Sequence, residues 1–260
     1  MIISLNPQAL GSPLVAWVAL FTLAGIVVGM LLMMRDGVSE GRRRDIYAIG
    51  LWAVFWGLIG ARGFHVIDSW DFYSESPFQV LYLWNGGLSL WGAIIVGGGG
   101  ALRHTRHRGF ALARFADSLA ITGLAGIGVG RIGDLLAGER PGTGTSWPWA
   151  IEYTHPDSES FSPGLQAHPV AAYELLLTVS ALIVLRYVTK RWGSALPDGM
   201  LLAIGVAMLA VGRFAIGFVR TESTDLGLTQ AQWVAVAVLI GTGIYAWRRL
   251  SDRECQMPRA

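Results

Sequence analysis

Charge is what this chain has least of. Lys, Arg, Asp and Glu make up 15% of its 260 residues, where a water-soluble domain carries about 25%. With 53% of residues hydrophobic, composition argues against a soluble globule. Cysteine is nearly absent: the only one, Cys255, lies close to the C-terminus, so no disulfide framework holds the fold. A net charge of +2, with no basic patch interleaved with stacking aromatics on a polar surface, argues against nucleic acid as a partner. The acidic and His residues lack ligand spacing, so no metal is expected, and no cofactor. Internal repeats, low-complexity tracts and a second domain are also missing, which predicts one polytopic domain over 1–260. No basic segment precedes the first apolar run, Leu14–Met34. It therefore reads as a permanent first span and not as a cleavable leader.

What is present is patterned. Of 20 Lys and Arg, 15 fall in four blocks that follow every second apolar stretch. They are Arg35 with Arg42–Arg44; Arg103, Arg106, Arg108 and Arg114; Arg186, Lys190 and Arg191; and Arg248, Arg249, Arg253 and Arg259. The connections between hold almost no cations, which is the positive-inside pattern. The expected fold is an all-α integral membrane protein of about seven transmembrane helices. The spans are placed near 14–34, 46–66, 88–102, 112–132, 170–188, 197–219 and 230–247, with the N-terminus outside and a cytoplasmic tail over 248–260. The 34 glycines suit close helix approach and the 11 tryptophans suit interfacial belts. The apolar stretch beginning at Phe78 breaks at Asn85-Gly86-Gly87. A broken or re-entrant segment over 78–87 is therefore expected before the third span. The one long polar connection, 133–169, is rich in Pro and Gly and reads as an extracytoplasmic loop region, with a short strand near Trp149–Tyr153.

The topology rule leaves five arginines unexplained: Arg62, Arg131, Arg140, Arg213 and Arg220. All lie at or near the outer ends of apolar segments, where an arginine has no topological role. Within Gly128–Arg140, Arg131 is followed by Asp134 and Glu139; Arg131 and Asp134 would be i,i+3 neighbours able to pair. Such a pair is also what a self-neutralised interfacial turn would show. Arg213 and Arg220 are seven residues apart, close to two helical turns, so both should share a face and form an anion site suited to phosphate. Snorkelling to the interface is the alternative, and fits Arg220 better than Arg213. His168-Pro169 opens the fifth span, with Pro169 suited to a first helical position and His168 to a cap. Glu174, one turn inside, needs a partner, and an outer-end arginine is available. Tyr173 reads equally as an interfacial anchor.

In order along the chain, the Arg62 region, Trp84–Gly92, Gly128–Glu139, His168–Glu174 and Gly212–Arg220 resemble the prolipoprotein diacylglyceryl transferase family. The resemblance implies a multi-pass enzyme of the bacterial cytoplasmic membrane. It would move a diacylglyceryl group from phosphatidylglycerol, among the membrane lipids, to the lipobox cysteine thiol of a secreted lipoprotein precursor peptide. The attacked carbon is unactivated, so the leaving phosphate must be stabilised, and arginines do that without titrating. The thiol must lose its proton, so an acceptor is needed. The implied phosphatidylglycerol-binding residues are Arg131, Arg213, Arg220, Arg62, Gly87 and Gly133. The implied catalytic residues are Tyr173 and His168 as proton acceptors, Asp134 as a third acceptor, and Glu139 to orient an arginine or the glycerol. The chain departs from the family pattern at Trp91, where a His or Tyr is usual, at Asp134 in place of an amide, and at Gly217 in place of an acid. Two alternatives stand beside this reading: a divergent paralogue with another acceptor, and a non-catalytic phospholipid-binding membrane protein.

Overall fold

A computed structural model describes residues 1–8, 16–35, 43–75, 77–82, 89, 92–107, 109, 112–140, 142–158, 160, 162–193, 195–221, 224–225 and 227–256. The chain is mostly helical and divides into two compact units, Met1–Leu32 with Ala116–Ala260, and Met33–Phe115. Among the described residues, five helices are long and apolar enough to cross a membrane.

The larger unit contains four of them. Helix α1 (Trp17–Arg35) enters from the short strand β1 (Ile2–Ile3). Helix α5 (Leu112–Ala137), strand β2 (Glu152–Tyr153), α6 (Val170–Trp192) and α7 (Met200–Gly217) follow. The two-residue strands β3 (Thr224–Asp225) and β4 (Leu228–Thr229) then lead into α8 (Gln230–Gln256). Helices α5, α6 and α7 share a core of Ala120, Ile121, Leu124, Ala181 and Leu185, against which Leu201, Leu202 and Met208 pack. Helix α1 lies backbone to backbone on α5: a Cβ on Gly126 would stand 2.6 Å from the Gly25 carbonyl oxygen. This is the small-residue contact by which helices associate without a hydrophobic driving force between them. Asp117 of α5 caps α7, its carboxylate accepting from the amides of Gly199 (2.6 Å) and Leu202 (2.9 Å). A carboxylate there satisfies orphan amides and complements the helix dipole.

At the opposite end of α7, the described residues within 138–169 fold over the termini of α5 and α6. β1 and β2 pair in parallel, and Ile151 exchanges both backbone bonds with Ala167 (3.0 and 2.9 Å). Gly142 bridges to Arg220. The expected strand near Trp149–Tyr153 is present as the pairing of Ile151–Tyr153.

The smaller unit holds the remaining long apolar helix, α2 (Arg43–Asp68), then α3 (Trp70–Glu75) and a 3-10 turn at Pro77–Leu81. Beyond it, a π-helical turn, Ala93–Gly97, continues as α4 (Gly98–His107). Glycines again permit the approach: a Cβ on Gly97 would lie 2.8 Å from the Ala53 carbonyl oxygen. The third span was expected over 88–102; the helical segment described is Ala93–His107, about 22 Å long at 1.5 Å per residue. Of the re-entrant segment, only the turn at Pro77–Leu81 and Tyr82 is described. Its glycine break, with Gly87, and Trp91 lie outside the described residues. The seventh expected span lies in α8, whose two early glutamines and charged last turns make it less apolar than the other five.

Candidate functional site

Helix α5 stops at Gly138, whose φ of +70° turns the chain into the left-handed region. The Glu139 amide then bonds the Asp134 carbonyl at 3.0 Å, closing a Schellman turn. A Cβ at Gly138 would press on the Tyr153 ring at 2.6 Å, so both backbone sign and space require glycine. Arg140 also has positive φ, +67°. For a residue with a Cβ this is unfavourable by about 1–2 kcal/mol, and it accompanies a side chain turned back over the end of α5.

That side chain joins a cluster centred on Glu174, which is 4% exposed. Oε2 of Glu174 takes Arg131 Nε at 3.2 Å and Arg140 Nε at 3.3 Å. Oε1 takes Arg213 Nη1 in a close pair and Arg220 Nη1 at 3.4 Å. Asp134 binds two of the same arginines through Oδ2: Arg131 Nη1 at 2.5 Å and Arg140 Nε at 3.0 Å. Among the described contacts, four guanidiniums face two buried carboxylates, an excess there of two positive charges. The Glu139 carboxylate also acts on Arg140 and lowers that excess toward one. Burial works against the charge of Arg140, but Glu174, Asp134 and Glu139 outweigh it and hold its pKa above the ordinary arginine value. Arg131, Arg140 and Arg213 keep 24%, 29% and 31% of their side-chain surface open, so the cluster is sealed on the Glu174 side and accessible on another.

Tyr173 precedes Glu174 on α6, about 100° around the helix, and faces a different space. This is an open cleft of about 650 Å³ lined by Trp147, Trp149, His168, Tyr173, Leu176 and Val219, among others, and nearly all apolar. Two polar contacts meet inside it: Trp149 Nε1–H donates to the Tyr173 hydroxyl at 2.7 Å, and His168 Nδ1 lies 3.0 Å from the same oxygen. His168 does not cap α6. The N-cap is Pro169, without a side-chain cap bond, which frees the imidazole to turn toward Tyr173.

The expected residues thus separate. Arg131, Asp134, Arg213 and Arg220 share one cluster, Tyr173 and His168 share the cleft beside it, and Glu139 stands at the edge. Arg220 reaches Glu174 from beyond the end of α7 at Gly217, not from a helical face shared with Arg213. Gly133 faces α1, where a Cβ would meet Phe21 at 2.7 Å; it serves packing there. Arg62, 6% exposed, belongs to the smaller unit. It donates to the carbonyls of Val80 (2.8 Å), Gln79 (2.5 Å) and Tyr82 (3.2 Å) and lies 5.2 Å from the centre of the Tyr73 ring. Sequence reasoning did not place Glu174, Arg140 and Trp149 in the site. The first two carried a signal, a carboxylate inside an apolar helix and an arginine without a topological role. Trp149 carried none.

Gly217 has its own neighbour. Thr229 and Gln232 form a reciprocal capping box at the start of α8, Thr229 N–H to Gln232 Oε1 at 2.8 Å and Gln232 N–H to Thr229 Oγ1 at 3.3 Å. Gln232 Nε2 donates onward to the Phe214 carbonyl at 3.1 Å, and a Cβ on Gly217 would fall 2.7 Å from Gln232 Cδ. Among the described residues, no group of three His, Cys, Asp or Glu is placed to hold a metal ion.

Fold and site define a multi-pass helical membrane protein with a multi-arginine centre built on a buried carboxylate. The family described as prolipoprotein diacylglyceryl transferase matches residues 8–248. The phosphatidylglycerol–prolipoprotein diacylglyceryl transferase of Mycobacteroides abscessus is 32% identical over 256 residues, 91% of this chain and 74% of that protein. The enzyme so named from Bacillus licheniformis is 30% identical over 259 residues, 96% of this chain and 95% of its own. A Streptomyces coelicolor protein named as a second such transferase is 33% identical over 224 residues, 84% of this chain and 70% of its own. The chain belongs to the prolipoprotein diacylglyceryl transferase family.

Proposed function

We propose that this chain transfers the diacylglyceryl group of phosphatidylglycerol to the cysteine thiol of a secreted lipoprotein precursor. The observation that carries the reading is the Glu174-centred guanidinium cluster opening beside an apolar cleft. In the reaction, sulfur attacks the glycerol carbon that carries the phosphate ester. The S–C bond forms, the C–O bond breaks, and glycerol phosphate leaves. The phosphate goes from one negative charge to two. An excess of one to two positive charges, held rigid by Glu174 and Asp134, matches the product side of that change better than the ground state. That difference is what accelerates a reaction. Arg131 and Arg213, with their exposed edges, grip the phosphate oxygens in forked contacts. Arg220 and Arg140 complete the field, and Glu139 steadies Arg140.

Asp134 already accepts two arginines, so its role is orientation and not proton transfer. Tyr173 and His168 face the cleft and take the thiol proton. Arg62 holds the turn at Pro77–Leu81 and supports the fold of the smaller unit. The membrane arrangement we propose has seven spans, with the N-terminus and the 133–169 region outside and the 248–260 tail in the cytoplasm. The four arginine blocks support it.

The test is direct. Purified protein in phosphatidylglycerol vesicles is given a peptide with an apolar segment ending in cysteine. Peptide mass should rise by one diacylglyceryl group as glycerol phosphate appears in equal amount. Neither product appearing, in vesicles where a related transferase works, overturns the reading.

A further inference from the structure

Trp149 stands in an ordered place. Trp147-Pro148-Trp149-Ala150 is a tight turn closed by the Ala150 amide on the Trp147 carbonyl at 2.9 Å, with Pro148 at the position a proline favours. The next residue, Ile151, is locked to Ala167, the residue before His168. The turn is therefore pinned to the chain that carries the imidazole. The Trp147 ring packs edge-on against both Trp149 (4.7 Å) and His168 (5.9 Å).

The hydrogen-bond chain has a direction, set by chemistry. An indole N–H can only donate, so the Tyr173 oxygen accepts from Trp149 at 2.7 Å. A phenol has one proton to give and can accept on its remaining lone pairs. If His168 Nδ1 also donated, the phenol would accept twice and its own proton would point elsewhere, leaving nothing to receive another. If His168 carries its proton on Nε2, Nδ1 accepts the phenol proton across 3.0 Å. The phenol oxygen then keeps one acceptor direction, toward the cleft.

We infer that Trp149 is a positioning residue for proton transfer, fixing the Tyr173 hydroxyl so that it gives its proton to His168 and receives the thiol proton from the cleft. The inference rests on the transferase reading above. In the step, the acceptor thiol gives its proton to Tyr173 as Tyr173 gives its own to His168 Nδ1. Sulfur forms its bond to carbon as the C–O bond to phosphate breaks. His168 later returns the proton to water. No oxidant or cofactor enters. A substrate filling the apolar cleft excludes water from the half-exposed indole, and the bond from Trp149 strengthens as it does so.

Two measurements test this. Trp149→Phe, and replacement of Trp149 by benzothienylalanine, an isostere with sulfur in place of N–H, should each lower kcat on the order of tenfold, the size of one hydrogen bond. KM for the peptide should stay within about twofold, because the bond matters in the reacting complex. The isostere keeps the ring and its packing, so a wild-type rate with it overturns the inference. Separately, the Trp149 indole N–H resonance in 15N-labelled protein, assigned by its loss in Trp149→Phe, should shift in Tyr173→Phe. An unmoved resonance also overturns the inference. The resonance is read without turnover, so failure of the transferase reading stays distinguishable from failure of this one.

Discussion

Glu174→Gln is a near-isosteric change that should separate stability from anion binding. Glu174 holds Arg131 and Arg140 on one oxygen, Arg213 and Arg220 on the other. An amide has one oxygen and one NH2, so one pair must lose its acceptor. Arg131 and Arg140 retain Asp134, and the amide will therefore turn its oxygen to Arg213 and Arg220. Breaking a buried ion pair on one side is unfavourable by about 3–5 kcal/mol, and the retained Asp134 contacts place this change at the lower end, about 3 kcal/mol. At about 2–4 °C per kcal/mol for a chain of this size, melting should fall by roughly 6–12 °C. The same substitution raises the positive excess by one, so glycerol phosphate should restore more of the melting temperature in the variant than in wild type. Differential scanning fluorimetry in detergent, with and without glycerol phosphate, reads both effects. A variant that melts with wild type, or gains nothing extra from the anion, refutes Glu174 as the hub.

Three further outcomes are expected. Arg213→Lys should impair transfer far more than Arg249→Lys. Lysine keeps the charge but not the fork, and Arg249 contacts only the nearby Tyr245 hydroxyl and ring among the interactions described; equal rates in vesicles would remove Arg213 from the phosphate site. A cysteine at exposed Asp157 should react with an impermeant maleimide from outside intact cells, and labelling only after permeabilisation would invert the proposed orientation. Burial raises the Tyr153 phenol from 10.0 to about 12, so its contribution to stability is complete below pH 10 and lost as pH rises through about 12. Tyr153→Phe should flatten the melting-temperature loss over that window, despite losing the 2.8 Å bond to the Leu135 carbonyl; an unchanged slope would assign the alkaline sensitivity elsewhere.

The helical membrane architecture was legible because the bilayer imposes long apolar runs and the arginine blocks alternate with them. Arg131 with Asp134 was legible from i,i+3 spacing, and the need of Glu174 for an arginine from burial alone. That four arginines would meet on one carboxylate was not legible. Arg140 arrives only because a Schellman turn reverses the chain, and Arg220 only after α7 has ended. The first is a consequence of backbone sign and the second of where the helix stops, neither of which apolar periodicity encodes. Trp149 was invisible because a tryptophan in a membrane protein reads first as interfacial. Its role depends on the pairing of Ile151 with Ala167, a loop contact without periodic signature. Gly133 read as a site residue through the family resemblance, yet its place on α5 turns it to α1.

The fit of Gln232 against Gly217 means that the two positions must change together. A side chain introduced at 217 alone meets the Gln232 amide, and the displaced amide gives up both its cap on α8 and its tie to Phe214. Shortening residue 232 alone empties the space and frays the first turn of α8. Substitutions that work singly in a relative can therefore fail when transplanted here one at a time. A chimera that exchanges the end of α7 should carry the start of α8 with it.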